Sequence, residues 1–266
     1  MEPTEPPGRG SAPDIATEAD HDHDPGRRRE PRLAVVVAGG APIPAPTVDD
    51  LPGDALVIAA DSGLDRANDL GWQVHAVVGD LDSARQGALD DARARNIEIR
   101  RHPSAKDETD LELALQLAVE RSASRIVVVG VDGDRIDHVL ANAFLLASPA
   151  FAAVEVEGRF GSSVVRIVRR AVDIVGAPGQ IVSLLPAHGP AHGVVTDGLC
   201  YPLRDETLPA GSPRGMSNVL AGDRASVSLR EGTLLVITAA PTDHAEDPPA
   251  ASPSGADPNP PIQGER

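Results

Sequence analysis

From residue 32 onward the hydrophobic positions fall into two successive patterns. Up to residue 148, short β-branched runs at 33–38, 55–60, 74–78, 96–100 and 125–129 alternate with amphipathic segments. Several runs are apolar at every position, which predicts strands buried on both faces, as in a parallel sheet covered by helices. The clearest helix follows Thr109: Leu111, Ala114, Leu115, Ala118 and Val119 share one face, and Thr109 with Glu112 forms a capping box. Ser62 and Ser83 precede two more predicted helices, and 137–147 reads as another with Val139, Leu140, Ala143 and Leu146 as its buried stripe. After Ser148-Pro149 only β-type runs remain, at 152–156, 163–168, 171–175, 180–185, 193–199, 225–229 and 233–238. The predicted fold class is therefore α/β: an N-terminal parallel-sheet, Rossmann-like α/β domain over 32–148, followed by a C-terminal all-β sandwich or barrel over 149–240. Segments 1–31 and 241–266 carry almost no branched apolar residues and are predicted to be disordered tails.

Charge and cysteine content narrow the partners. The chain has 266 residues and a net charge of −16, from 24 basic and 40 acidic residues. Eight acids face four bases in 1–31 and five face one in 241–266, which leaves −8 on the middle. Nucleic-acid phosphates and anionic lipid are repelled by such a field, so neither is an expected partner. A single cysteine, Cys200, excludes an internal disulfide, and no run approaches the roughly 20 apolar residues of a membrane helix. A cytoplasmic protein is expected. His21-Asp22-His23-Asp24 reads as part of a solvated tail rather than as a metal tract.

The candidate chemistry lies in the aspartates. Asp61 follows the second predicted strand, Asp80 and Asp82 the third, and Asp137 the fifth, while Asp107 and Asp110 stand where the helix after Thr109 begins. Taken singly, each also reads as an N-cap or turn residue. As a set they end successive strands, where an open parallel sheet gathers residues into one crevice. Carboxylates that close repel unless a cation lies among them, and hard oxygen ligands suit Mg²⁺ bound together with phosphates. The only lysine, Lys106, opens the same helix, and Arg135 precedes Asp137 by two residues. Either can bind phosphate or form a surface ion pair. Neither a Walker A nor a dinucleotide fingerprint is present.

These segments resemble the thiamine pyrophosphokinase family. Asp61-Ser62-Gly63 resembles its Asp-Ser-Gly element, and Gly79-Asp80-Leu81-Asp82-Ser83 its Gly-Asp-x-Asp-Ser signature. Lys106-Asp107-Glu108-Thr109-Asp110 is similar to its Lys-Asp-x-Thr-Asp, and Gly133-Asp134-Arg135-Ile136-Asp137-His138 to its Gly-Gly-Arg-x-Asp-His. In the β half, Gly198-Leu199-Cys200-Tyr201-Pro202-Leu203 and Ser217-Asn218 resemble the family's vitamin-side elements. Three positions depart: Asp134 replaces a glycine, Gly215 stands where many members have serine, and Val219 where glutamate often follows.

The resemblance implies transfer of diphosphate from ATP to thiamine, with Mg²⁺ as cofactor, in a homodimer whose two halves meet across the subunit interface. It assigns Asp80, Asp82 and Asp110 to the metal, and these with Arg135 to catalysis, Asp110 being the candidate proton acceptor. It assigns Asp61, Ser83, Lys106, Asp107, Thr109, Arg135, Asp137 and His138 to ATP, and Tyr201, Ser217 and Asn218 to thiamine. Without the family, Tyr201 reads equally as an ordinary strand residue. Two alternatives stay open at this point: a Mg-dependent diphosphokinase acting on another small alcohol such as a pterin, and a non-catalytic nucleotide or vitamin sensor.

Overall fold

The computed structural model describes residues 32–239; the two predicted tails and the 21–24 tract lie outside the described residues. Five parallel strands, β1 (Leu33–Val37), β2 (Leu56–Ala60), β3 (Ala76–Gly79), β4 (Glu98–Arg101) and β5 (Arg125–Val129), lie in the order β4-β3-β2-β1-β5. The chain steps outward from β1 to β4 and then returns to the other side of β1. A crevice therefore opens at the carboxyl ends of β1 and β5, where neighbouring connections diverge.

Strand residues alternate between two buried layers. Val35, Val57 and Val77 pack with Leu64 of α1 (Gly63–Asp69) and Leu89 of α2 (Gln86–Ala94), while Val36, Ile58 and Val78 pack with Leu115 of α3 (Asp110–Glu120). The all-apolar runs are thus explained by helices on both faces, as the sequence pattern predicts. α2 begins at Gln86, three residues beyond Ser83, because Asp65 of α1 accepts the Arg85 N–H at 3.0 Å and pairs with its Nε at 3.0 Å. A carboxylate from a neighbouring helix, not the local serine, sets that start.

The sheet continues past the fifth strand. β6 (Glu155–Phe160) lies parallel to β5, and β7 (Ser163–Val168), β14 (Leu234–Thr238), β9 (Ile181–Pro186) and β12 (Asn218–Val219) extend it with antiparallel pairings to ten strands. A second, four-stranded sheet has the order β11 (Arg204–Leu208), β10 (Ala191–Asp197), β13 (Arg224–Ser228), β8 (Ala171–Val175). Val168, Leu184 and Val236 of the first sheet share a buried cluster with Ile174, Val194 and Val227 of the second, which makes a β-sandwich. β11 and β12 have no counterpart among the predicted strands. β11 reads Arg-Asp-Glu-Thr-Leu and pairs on one side only, with β10, so its outward positions stay polar.

The predicted stripe of α4 (Ile136–Leu146) is corrected by the structure. Only Leu146 is buried, whereas Leu140 is exposed and forms an outward row with Ile136 and Phe144. The helix is apolar nearly all round, so its periodicity does not specify which face turns inward. Its carboxyl end is anchored instead: Arg169 donates to Ala147 O at 3.1 Å and to Ser148 O at 2.9 Å. Burial holds this guanidinium below its usual range, and the helix's carbonyl end compensates its charge. Replacing Arg169 with Met, which keeps the apolar stem, is expected to cost about 1–2 kcal/mol in chemical denaturation. No loss would mean that water caps the helix equally well.

Candidate active site

Three carboxylates from three separate segments converge. One oxygen from each of Asp61, Asp80 and Asp110 lies within 4.8 Å of the other two. Local structure explains each placement. Asp61 leaves β2 in a left-handed conformation, φ 47°, which aspartate adopts more readily than most residues. Its N–H donates to Val78 O on the adjacent strand at 2.9 Å. Asp80 directly follows β3. Asp110 is the first residue of α3, whose start is fixed by the Thr109 hydroxyl accepting the Glu112 N–H at 3.1 Å. Gly79 makes the close approach possible, because a Cβ there would lie 3.1 Å from the Asp110 carboxyl carbon and 3.2 Å from Asp61 Cβ.

The three carboxylates differ in environment. Burial, reinforced by the nearby charges of Asp110 and Asp80, pushes the Asp61 carboxyl above its ordinary range. The Ser104 hydroxyl, the Asp82 N–H and the Lys106 ammonium hold Asp80 below it. Lys106 Nζ lies 2.9 Å from Asp110 Oδ1 and donates to Pro103 O at 3.2 Å. Partial burial opposes its charge, but Asp110, Asp80 and Asp61 overcome that and keep it firmly protonated. Asp61 Oδ1 is buried and accepts no hydrogen bond from the described residues. An orphaned anionic oxygen beside two more carboxylates fits a hard divalent cation, which supplies the missing partner and cancels the repulsion.

The structure brings Asp61, and not Asp82, into this group. Leu81, buried and at φ 65°, turns the chain between the two aspartates, and the exposed Asp82 accepts from Ser83 Oγ at 2.8 Å. Asp82 stays beside the group: its N–H donates to Asp80 Oδ1 at 3.2 Å, and its side chain also helps hold the Asp80 carboxyl low. Asp107 is exposed, and Thr109 acts as the helix cap. Arg135 and Asp137 form a two-point ion pair at the start of α4, at 3.2 and 2.5 Å, with His138 exposed beside them. Their loop leaves β5 at the crevice and is tied to the β1 loop by Gly40 N–H to Gly130 O at 2.9 Å and Ala41 N–H to Asp132 O at 2.8 Å. In the β half, Tyr201 is half exposed, Ser217 takes φ 53° and Asn218 is buried.

Two groups escaped the sequence reading. Arg101 ends β4 and donates through Nε to Asp80 O at 3.2 Å, and Ser104 holds the Asp80 carboxylate. The strand-end rule that singled out the aspartates applies equally to residues 101–104, and could have included them.

Two family models match the chain. The one described as "Thiamin pyrophosphokinase, catalytic domain" covers residues 51–157, and "Thiamin pyrophosphokinase, vitamin B1 binding domain" covers residues 165–234. The thiamine pyrophosphokinase of Bacillus subtilis is 28% identical over 222 residues, which is 76% of this chain and 96% of that protein. The crystal structure of the Bacillus subtilis enzyme superposes with a TM-score of 0.70 at 27% identity, covering 79% of this chain and all of that one. That of Geobacillus thermodenitrificans thiamin pyrophosphokinase gives 0.68 at 25%, covering 79% and 99%.

Proposed function

The chain belongs to the thiamin pyrophosphokinase family, and on that premise we propose that it transfers a diphosphoryl group from ATP to the hydroxyethyl oxygen of thiamine, giving thiamine diphosphate and AMP. The observation that carries this reading is the group Asp61, Asp80 and Asp110, poised at the carboxyl ends of a sheet whose far half is a β-sandwich. The two alternative readings, a pterin-type acceptor and a non-catalytic sensor, are not favoured by the family match.

In the proposed mechanism Asp61, Asp80 and Asp110, with Asp82 beside them, would hold magnesium, which would neutralise charge on the phosphate oxygens. Lys106, already protonated, can turn from Asp110 toward a phosphate oxygen, and Arg135 can exchange Asp137 for phosphate through its planar fork. Asp110, opening a helix beside the reacting groups, is positioned to accept the hydroxyl proton. Catalysis then rests on alignment and charge stabilisation, as diphosphoryl transfer demands. Tyr201 offers a ring face to the thiazolium cation. The chain's acidity favours a cationic acceptor, and a reducing cytoplasm suits the free, exposed Cys200. No helix among the described residues is long and apolar enough to cross a membrane.

The test is to incubate the full chain with Mg-ATP and thiamine and to follow products. AMP appearing in step with thiamine diphosphate is expected. AMP only with a pterin alcohol, or binding without turnover, would select the other readings.

A homodimer is part of the proposal. The outward row on α4, with Ile136 68%, Leu140 51% and Phe144 49% exposed, begins next to Arg135 and is the sort of apolar surface a second copy covers. Light scattering of the 27.6 kDa chain should give about twice that mass, and Leu140→Glu, which places a charge mid-row, should halve it. A dimer unaffected by Leu140→Glu would move the interface elsewhere.

A further inference from the structure

The family resemblance assigns Asn218 to the vitamin directly, but the structure commits its side chain elsewhere. Asn218 is 4% exposed. Its Oδ1 accepts the Tyr201 N–H at 3.0 Å and the Val219 N–H at 2.9 Å, and its Nδ2 donates to Tyr201 O at 2.7 Å. A side-chain amide has two donor hydrogens and two acceptor lone pairs, so three of its four bonds are made to backbone, two of them to one residue. Next to it, the Cys200 N–H donates to Val219 O at 2.9 Å and Leu199 forms an isolated bridge with Leu220. The Asn218 side chain thus continues this pairing by one further step, standing in for a strand residue opposite Tyr201. Both main-chain polar groups of Tyr201 are gripped while the residue as a whole stays 48% exposed. The residue before, Ser217, is turned into its φ of 53° with its N–H donating to Ser183 Oγ at 3.1 Å, and that turn directs Asn218 inward.

We propose that Asn218 is a positioning residue for thiamine, which it does not touch: it fixes the backbone of Tyr201 so that the ring is presented in one orientation. The proposal rests on the thiamine reading above. An aromatic face held in place before the ligand arrives spares the cost of ordering it on binding. Loss of the clamp should therefore weaken thiamine binding while leaving the nucleotide half unaltered. Aspartate is a sharper probe than alanine, since it keeps the volume and the acceptor toward Tyr201 N–H but sets a buried oxygen against Tyr201 O in place of the donor.

The experiment is steady-state kinetics of the full chain, varying thiamine and Mg-ATP separately, for the parent, Asn218→Ala, Asn218→Asp, Tyr201→Ala and the double variant of Asn218→Ala with Tyr201→Ala. Asn218→Ala should raise the KM for thiamine about tenfold, with kcat and the KM for ATP within about twofold of the parent. Once Tyr201 is alanine there is no ring to orient, so the double variant should be no worse than Tyr201→Ala alone. Effects that multiply in the double variant would mean that Asn218 meets thiamine itself, and a KM for ATP rising in step would mean general damage; either overturns the proposal. Should Asn218→Ala not fold, Asn218→Asp with and without Tyr201→Ala carries the same comparison. A parent that releases no AMP with thiamine overturns the functional reading and this one together, whereas an active parent with multiplying variants overturns this one alone.

Discussion

Asp61→Asn is expected to lower kcat by about a thousandfold while making the metal-free protein more stable by about 1 kcal/mol, roughly 2–4 °C in thermal midpoint. Both effects come from one atom. Asp61 Oδ1 is buried and has no hydrogen-bond donor among the described residues, and the carboxyl that carries it lies within 4.8 Å of two others. Without a cation this is an anionic oxygen that has lost water and gained repulsion, so removing its charge relieves the folded state. With a cation the same oxygen is a ligand, and an amide is a much poorer one toward a hard divalent ion. Asparagine tolerates the left-handed φ of 47° as well as aspartate does, so the backbone offers no competing explanation. The measurements are AMP release under saturating substrates and thermal unfolding in chelator. Magnesium added to the parent should raise its midpoint, and it should raise that of Asp61→Asn much less. An asparagine variant less stable than the parent in chelator would show that the cluster is not strained.

Gly79→Ala is expected to lower kcat/KM by about a hundredfold or more and to destabilise the fold by about 1–3 kcal/mol. Gly79 has φ 149°, a conformation that L side chains rarely adopt, and its missing Cβ leaves the space into which Asp61 and Asp110 reach. A methyl 3.1 Å from the Asp110 carboxyl forces that carboxylate or the strand end to shift by a few tenths of an ångström. Misplacement on that scale is costly for a reaction run by alignment. Gly53, where a Cβ would meet nothing within 4 Å, is the control: Gly53→Ala should leave activity near the parent's. Equal activity in Gly79→Ala would show that the carboxylates need no close approach.

The amino-acid sequence by itself determined what depends on neighbours in the chain. Fully apolar runs announced strands buried on both sides, Thr109 and Glu112 located the start of α3, and acidic residues at successive strand ends marked the carboxyl edge of the sheet where three of them meet, because each signal is a periodicity or cap read over a few residues. Tertiary structure decided what depends on a partner surface distant in sequence. Asp61 joined Asp80 and Asp110 because its left-handed φ at the end of β2 and the bond from its N–H to Val78 O bring it beside β3. α4 turned Leu140 outward because a helix apolar nearly all round has no inward face of its own, and a distant partner, Val131 O accepting from Asn142 at 3.0 Å, helps fix one. Asn218 is committed to the Tyr201 backbone, 17 residues away in the chain. A side-chain amide carries the same donors and acceptors whether it meets a ligand or a strand, and only the folded chain determines which of the two it meets.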